Sequence, residues 1–113
     1  MKEAIAKSLL NKIERLDAFE ERLFVRLENI SVKVDDESWV TIFFELHSNK
    51  GNTIDETIKV ECIAYDSEGQ IIAIESNYAI KDRFFGFEVF EFRFAEDKIA
   101  DKINKLRLYP KKH

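Results

Sequence analysis

The sequence predicts a mostly β protein, an antiparallel, immunoglobulin-like β-sandwich that carries an N-terminal amphipathic α-helix. From Leu23 onward, apolar and polar residues alternate with a period of two, which is typical of strands with one buried and one solvated face. The segments between these runs are short and rich in turn residues, and short connections favour antiparallel neighbours. The alternative that the pattern leaves open is an α+β roll, in which one curved sheet wraps the helix.

The first 21 residues are predicted to form the helix, and residues 22–113 the β domain, within a single domain overall. Ile5, Leu9, Ile13 and Leu16 recur at helical steps, and no Gly or Pro interrupts them. Such a helix is not stable alone in water, so its apolar stripe must be covered. The cover is either the chain's own sheet or a second copy of the chain.

The alternation also predicts the buried core. Near Glu28-Asn29 the apolar residues switch from one face of the strand to the other, and such a phase change predicts a β-bulge at that point. In the Phe-rich segment 87–94, the pattern predicts either a second phase change or a strand that is buried on both faces. The residues expected to be mostly buried are Val40, Ile42, Phe44, Leu46, Ile58, Val60, Cys62, Ile72, Ile74, Phe90, Phe92 and Leu106.

Two turn residues are expected to shape the second half of the chain. The run Asp66-Ser67-Glu68-Gly69 predicts a hairpin, and Gly69 stands where a type I turn with a G1 bulge needs a left-handed backbone. Leu106 and Leu108 belong to the last strand, which Pro110 is predicted to end.

The charge distribution argues against nucleic acid as a partner. The chain has 22 acidic and 18 basic residues and a formal net charge of −4, whereas phosphate binding needs a concentrated basic surface. The bases Lys102, Lys105, Arg107, Lys111 and Lys112 do cluster near the C-terminus. We interpret them as solvated side chains of an edge strand, where lysines protect against aggregation.

A cytoplasmic location and no membrane span are expected. No segment approaches the roughly 20 apolar residues that cross a bilayer. Lys7 and Lys12 interrupt the apolar run that a signal peptide would need. Cys62 is the single cysteine and lies in phase with Val60, so we expect a small buried hydrophobe rather than a nucleophile.

No catalytic, cofactor or metal site is predicted. The two histidines are His47 and His113, and the chain has no Gly-rich phosphate loop, nucleophile elbow or zinc-binding cysteine pair. The acidic clusters around Asp35 and Asp66 lie in predicted turns, where aspartate is favoured because it hydrogen-bonds its own backbone. The sequence therefore indicates that the protein is not an enzyme.

The aromatic residues outside the core indicate a contact surface. Trp39 and Phe43 lie on the face opposite the buried row, so either the helix covers them or they bind a partner. The candidate interaction surface comprises Ile5, Leu9, Ile13, Leu16, Trp39 and Phe43. The function predicted from it is a non-catalytic protein-interaction or structural module that acts on a protein partner or as a homodimer.

The alternative function is binding of a small apolar ligand between helix and sheet. The residues that would line such a site are Phe84, Phe85, Phe87, Phe90 and Phe92.

The run V-E-C-I-A-Y-D-S-E-G-Q-I-I-A from Val60 to Ala73, followed by a Phe-rich strand entered through Gly86, resembles the FxLYD-type domains. It is also similar to the related late-embryogenesis-abundant β-sandwiches. The resemblance covers roughly residues 57–109 and implies a fibronectin-III or immunoglobulin-like sandwich. It implies no catalytic residues.

Overall fold

The computed structural model describes residues 2–113, which form three helices and seven strands. In chain order these are α1 (Lys2–Leu10), β1 (Ile13–Arg15), α2 (Asp17–Arg22), β2 (Val25–Val34), β3 (Val40–Ser48), β4 (Ile58–Tyr65), β5 (Ile71–Ala79), β6 (Phe87–Phe94), α3 (Ile99–Lys102) and β7 (Lys105–Lys112).

The strands form two sheets, one of four strands in the order β1-β7-β4-β5 and one of three in the order β2-β3-β6. Their inner faces enclose one core, to which both sheets contribute fully buried side chains such as Phe44 and Leu106. The predicted class is therefore confirmed: the protein is mostly β, with two packed sheets and an N-terminal helix. Because there are two sheets, the α+β roll with one curved sheet is not the observed arrangement.

The N-terminal helix is shorter than predicted. It ends at Leu10, and residues 13–15 leave the helical path to pair in parallel with β7, before α2 begins at Asp17. The apolar stripe did not reveal this break, because Ile13 satisfies helical spacing and also lies opposite Leu106 in the β1–β7 ladder. The parallel β1–β7 pair is a further departure from the expected antiparallel arrangement, and it places strand structure before residue 22.

The three-stranded sheet follows the predicted pattern. Val40, Ile42, Phe44 and Leu46 of β3 are all buried, as expected from their alternation. The β2–β3 register shifts between Glu28 and Ser31, which confirms the predicted bulge.

The predictions for β5 and β6 were partly wrong. Ile74 is 52% exposed and Ile72 is only partly buried, because the β4–β5 register shifts near Tyr65 and places Ile74 beside the outward Ile63. Strand β6 neither changes phase nor buries both faces. It alternates regularly, with Phe90, Phe92 and Phe94 inside and Phe87 and Val89 outside. The other ten predicted core residues are buried, as expected.

The β4–β5 hairpin has the predicted turn. Gly69 has a positive φ of 79°, and its amide donates to the Asp66 carbonyl at 3.1 Å. The Asp66 carboxylate accepts the amides of Glu68 and Gln70.

Pro110 does not end the last strand, which continues to Lys112. Strand β1 pairs with β7 only as far as Leu108, so at Pro110 one side of β7 is free. A strand tolerates proline at such a position, because no hydrogen bond to a neighbouring strand is needed on the free side.

Among residues 2–113, no helix is long and apolar enough to cross a membrane.

Candidate functional site

The outer face of the four-stranded sheet carries a row of basic and aromatic side chains. The outward residues of β7 and their partners on β4 are Lys105 beside Tyr65, Arg107 beside Ile63, Tyr109 beside Glu61, and Lys111 beside Lys59. Successive residues on one face of a strand stand two positions apart, so the β7 cations form a regular line along the sheet. This face is locally basic in a chain whose net charge is −4.

Tyr109 is fixed at the centre of this row. Its hydroxyl donates to Glu61 Oε1 at 2.5 Å, and its ring meets the edge of Phe19 with centroids 5.4 Å apart. Burial and this hydrogen bond raise the pKa of Tyr109 to about 12. The same bond, followed in importance by Lys59, holds the pKa of Glu61 below its ordinary value. Tyr109 is therefore a neutral donor to a charged carboxylate, and we see no proton-transfer role for it.

Arg107 and Lys105 converge on Tyr65. The Arg107 Cζ lies 5.3 Å and the Lys105 Nζ 5.0 Å from the centroid of the Tyr65 ring, within the range of cation–π attraction. Arg107 also donates to Glu14 of β1 at 3.1 Å. Arg107 also forms a hydrogen bond with Tyr65, and this bond, together with Glu14, raises the pKa of Arg107 above its ordinary value.

Helix α2 lies beside β7 and turns this face into a groove, which we call the α2–β7 groove. The helix is anchored by the buried Glu20, which pairs with Arg15 at 2.8 Å and accepts the Leu27 amide at 3.0 Å. One depression, of about 340 Å³, is lined by Phe19, Arg22, Leu23, Glu56, Pro110, Lys111 and Lys112. A second, of about 230 Å³, is lined by Leu16, Phe19, Ile63, Tyr65, Arg107, Tyr109 and Lys111.

A second surface lies on the other side of the molecule, on the outer face of the three-stranded sheet. We call it the β6 patch; it comprises Phe43 and His47 of β3, Phe87 and Val89 of β6, and Phe85 in the loop that leads into β6. Phe85, Phe87 and Val89 are 74%, 51% and 60% exposed. The His47 ring stacks on Phe87 at 5.0 Å, with an interplanar angle of 11°.

The His47 ring also pairs with Glu45 at 2.7 Å. That bond, and a second from Asn29, lower the pKa of the Glu45 carboxyl. The patch is thus bordered by a carboxyl group whose pKa lies below that of an ordinary glutamate.

The structure does not bring the six predicted interaction residues together. Leu9 is buried in the core, and Ile5 and Ile13 pack partly against it. Helix α1 packs along β2, and Lys2 at its start donates to Ser38 beside Trp39. Trp39 borders a depression with the acidic turn 36–37, and Leu16 belongs to the α2–β7 groove. Of the six, Phe43 alone lies in the β6 patch, with Lys33 Nζ 5.6 Å from its ring centroid.

The five phenylalanines predicted to line a ligand site divide between core and surface. Phe84, Phe90 and Phe92 are buried, and the last two stack on Phe44 at 5.5 and 5.3 Å. Phe85 and Phe87 are exposed. These side chains therefore do not surround a common space, and a concavity between a helix and a sheet lies at α2 instead.

The residues described, 2–113, contain no group of three or more His, Cys, Asp or Glu side chains arranged to hold a metal ion. Cys62 is fully buried, and burial raises the pKa of its thiol to about 12, which matches the predicted inert hydrophobe. The Asp35 carboxylate accepts hydrogen bonds from the backbone amides of Glu37 and Trp39. This aspartate therefore stabilises the turn in which it lies, as expected.

Comparison with family models, curated proteins and solved structures found no match to this chain. The resemblance to FxLYD-type domains, and the immunoglobulin-like topology that it implies, therefore stay predictions.

Sequence reasoning missed the contribution of α2. The predicted stripe of one long helix over residues 1–21 includes neither the contact of Phe19 with Tyr109 nor a role for Arg22. The sequence gives no sign of the break, because residues 13–15 contain a single apolar residue and so show no period of two, while Ile13, Leu16, Phe19 and Leu23 keep helical steps.

Proposed function

We propose that this protein is a non-catalytic module that binds protein, and that its partner is a second copy of the same chain. The observation that supports this proposal is the exposure of Phe87 and Val89 on the outer face of the three-stranded sheet, next to the exposed Phe85 in the loop that leads into β6. Large apolar side chains left in water forgo roughly 1.5–3 kcal/mol each, and a contiguous patch of them is typical of a contact surface.

The charges around the β6 patch suit contact between two identical surfaces. Glu45 lies opposite Val89 and Glu91 opposite Phe43, while Arg93 continues the same outward row. A two-fold interface joins the same patch on both subunits, so the patch must be self-complementary, and charges of both signs on one surface allow this. Apart from Phe85, the patch lies on paired strands, which hold its side chains in fixed positions and reduce the entropy lost on binding.

A non-catalytic role is supported by the way in which the reactive groups are used. The Cys62 thiol is buried, and Asp35 and Asp66 cap their own turns. His47 is stacked on Phe87 within the patch itself. A cytoplasmic location is part of the same proposal, because a lone free thiol fits a reducing compartment.

Sedimentation velocity over a range of concentrations tests the proposal. We expect the wild-type chain to associate reversibly, and a variant with Phe87→Ser and Val89→Thr to associate at least about tenfold more weakly, because central apolar contacts dominate interface energies. The matched control carries Ile71→Ser and Ile80→Ser, which are 55% and 37% exposed but lie outside the patch. The control should associate like the wild type.

A wild-type chain that stays monomeric at the highest concentration would contradict the proposal. So would a control variant that weakens association as much as the patch variant does.

A further inference from the structure

The cationic and aromatic side chains of the α2–β7 groove take no part in protein binding through the β6 patch. We propose that it binds a small organic anion with an apolar body, such as an aromatic or aliphatic carboxylate, sulfonate or phosphate. The groove and the patch lie on different sheets, so this site stands apart from the proposed protein contact.

The shape of the groove suits a small molecule. Its two depressions, of about 340 and 230 Å³, are neighbours that share Phe19 and Lys111 in their linings. Small-molecule sites typically measure about 300–1,000 Å³ and are lined mainly by apolar and aromatic side chains. The apolar and aromatic lining here is Leu16, Phe19, Leu23, Ile63, Tyr65, Tyr109 and Pro110.

The charges of the groove favour an anion. Its lining contains the cations Arg22, Arg107, Lys111 and Lys112, against the single carboxylate of Glu56. Glu56 lies 3.8 Å from Lys112, the outermost of these cations. Arg107 pairs with Glu14 and Tyr109 with Glu61, so with these two acids counted beside Glu56 the four bases of the lining still exceed the acids by one.

Lys111 is the cation best placed to contact the ligand. It lies directly opposite Lys59 in the β4–β7 ladder, and like charges in that position repel each other. Lys59 pairs with Glu61 at 3.2 Å, whereas Lys111 forms no salt bridge with any residue in the range 2–113. Glu61 is close enough for Lys111 to help lower its pKa, so this one carboxylate serves both lysines, and an anion between Phe19 and Lys111 would supply a second counter-charge.

A small ligand fits better than a nucleic-acid strand. Helix α2 closes one side of the concavity, and its anchor through Glu20 to Arg15 and Leu27 holds it there. A polyanion would also have to approach a chain with a net charge of −4.

The test uses a fluorescent anion, anilinonaphthalene sulfonate, and its neutral analogue phenylnaphthylamine, each titrated into the full chain. We expect saturable binding of the sulfonate at one site per chain. Lys111→Met, which keeps an apolar stem, should weaken sulfonate binding about tenfold and leave the neutral probe unaffected.

Lys33→Met is the matched control, because Lys33 also lies on a strand beside an aromatic ring, that of Phe43, but on the other sheet. It should bind the sulfonate as the wild type does. Phe19→Ala should weaken both probes, with the melting temperature of each variant measured to show that it is folded.

Three results would overturn the inference. Equal loss of sulfonate binding in Lys111→Met and Lys33→Met would show only general charge attraction. Loss of binding in Phe87→Ser would place the probe on the β6 patch. Displacement of the sulfonate by a thymidine oligonucleotide, in a manner that depends on Lys111, would assign the groove to a nucleic-acid strand instead.

Discussion

Gly69 shows how one residue determines a connection between strands. Its φ of 79° lies in the left-handed region, and a Cβ built at this position would meet no atom within 4 Å. Any effect of a substitution there must therefore come from the backbone rather than from a steric clash. The sequence identified this residue correctly because the turn geometry depends on Gly69 and its immediate neighbours alone.

We predict that Gly69→Val lowers the free energy of unfolding by about 1–2 kcal/mol, because a β-branched residue is strained at positive φ. Gly69→Asn should cost less, since asparagine tolerates this conformation. Urea unfolding of the two variants provides the measurement. Equal stability of Gly69→Val and the wild type would contradict the turn assignment.

The Tyr109–Glu61 pair makes stability depend on pH at two limits. The lowered pKa of Glu61 means that its contribution is present above its ordinary pKa of 4.5 and is lost as the pH falls. The raised pKa of Tyr109 means that its contribution is present below 10.0 and is lost as the pH rises towards about 12. Both contributions are complete at neutral pH.

We therefore expect Tyr109→Phe to lower the free energy of unfolding by about 1 kcal/mol near pH 7. The difference from the wild type should shrink at pH 3 and at pH 11, where one partner changes its protonation state. Denaturant unfolding at these three values measures it. A difference that is constant across the range would show that the hydrogen bond does not link the two groups.

At the scale of elements, α1 closes one edge of the sandwich. Leu9 is 1% exposed and belongs to the core, whereas its neighbour Leu10 is 38% exposed. The helix packs along β2, where Val32 and Val34 are partly buried. Its apolar stripe is thus covered by the chain's own sheet, one of the two covers that the sequence left open.

We predict that Leu9→Ala lowers the free energy of unfolding by about 2–5 kcal/mol, as truncation of a buried leucine does. Leu10→Ala, on the same helix, should change it by no more than about 0.5 kcal/mol. Thermal or urea unfolding compares the two. Similar effects from both variants would mean that α1 packs on a different face.

The sequence predicted elements well where local pattern and tertiary packing agree. The β3 row from Val40 to Leu46 has a single strict alternation, and it is buried as expected. The prediction failed where packing overrides the pattern: residues 13–15 became a strand because β7 offered a free edge. Ile74 became exposed because a register shift turned it outward, and the residues of β5 alone do not reveal such a shift.

The candidate surfaces were less predictable than the fold. Phe43 was recognised because it lies opposite a clearly buried row. Phe87 and Val89 were assigned to a strand with a phase change, so their exposure was missed. The α2–β7 groove combines residues from α2, β4 and β7, and a juxtaposition across three elements has no signature in one sequence.

At the scale of the whole molecule, the two surfaces lie on the outer faces of different sheets. The β6 patch belongs to the three-stranded sheet, and the α2–β7 groove to the four-stranded sheet. The core separates them, so no residue is shared between them. A partner on one face leaves the other free, and variants on the two faces should act independently.

The most direct test of the proposed contact is a residue-resolved amide NMR spectrum recorded as the protein concentration is raised. We predict that the signals of Phe43, His47, Phe85, Phe87 and Val89 shift or broaden with concentration, while those of Lys105 to Lys111 stay fixed. Signals that are independent of concentration throughout, or changes confined to the β7 face, would contradict the claim that the β6 patch binds a second copy.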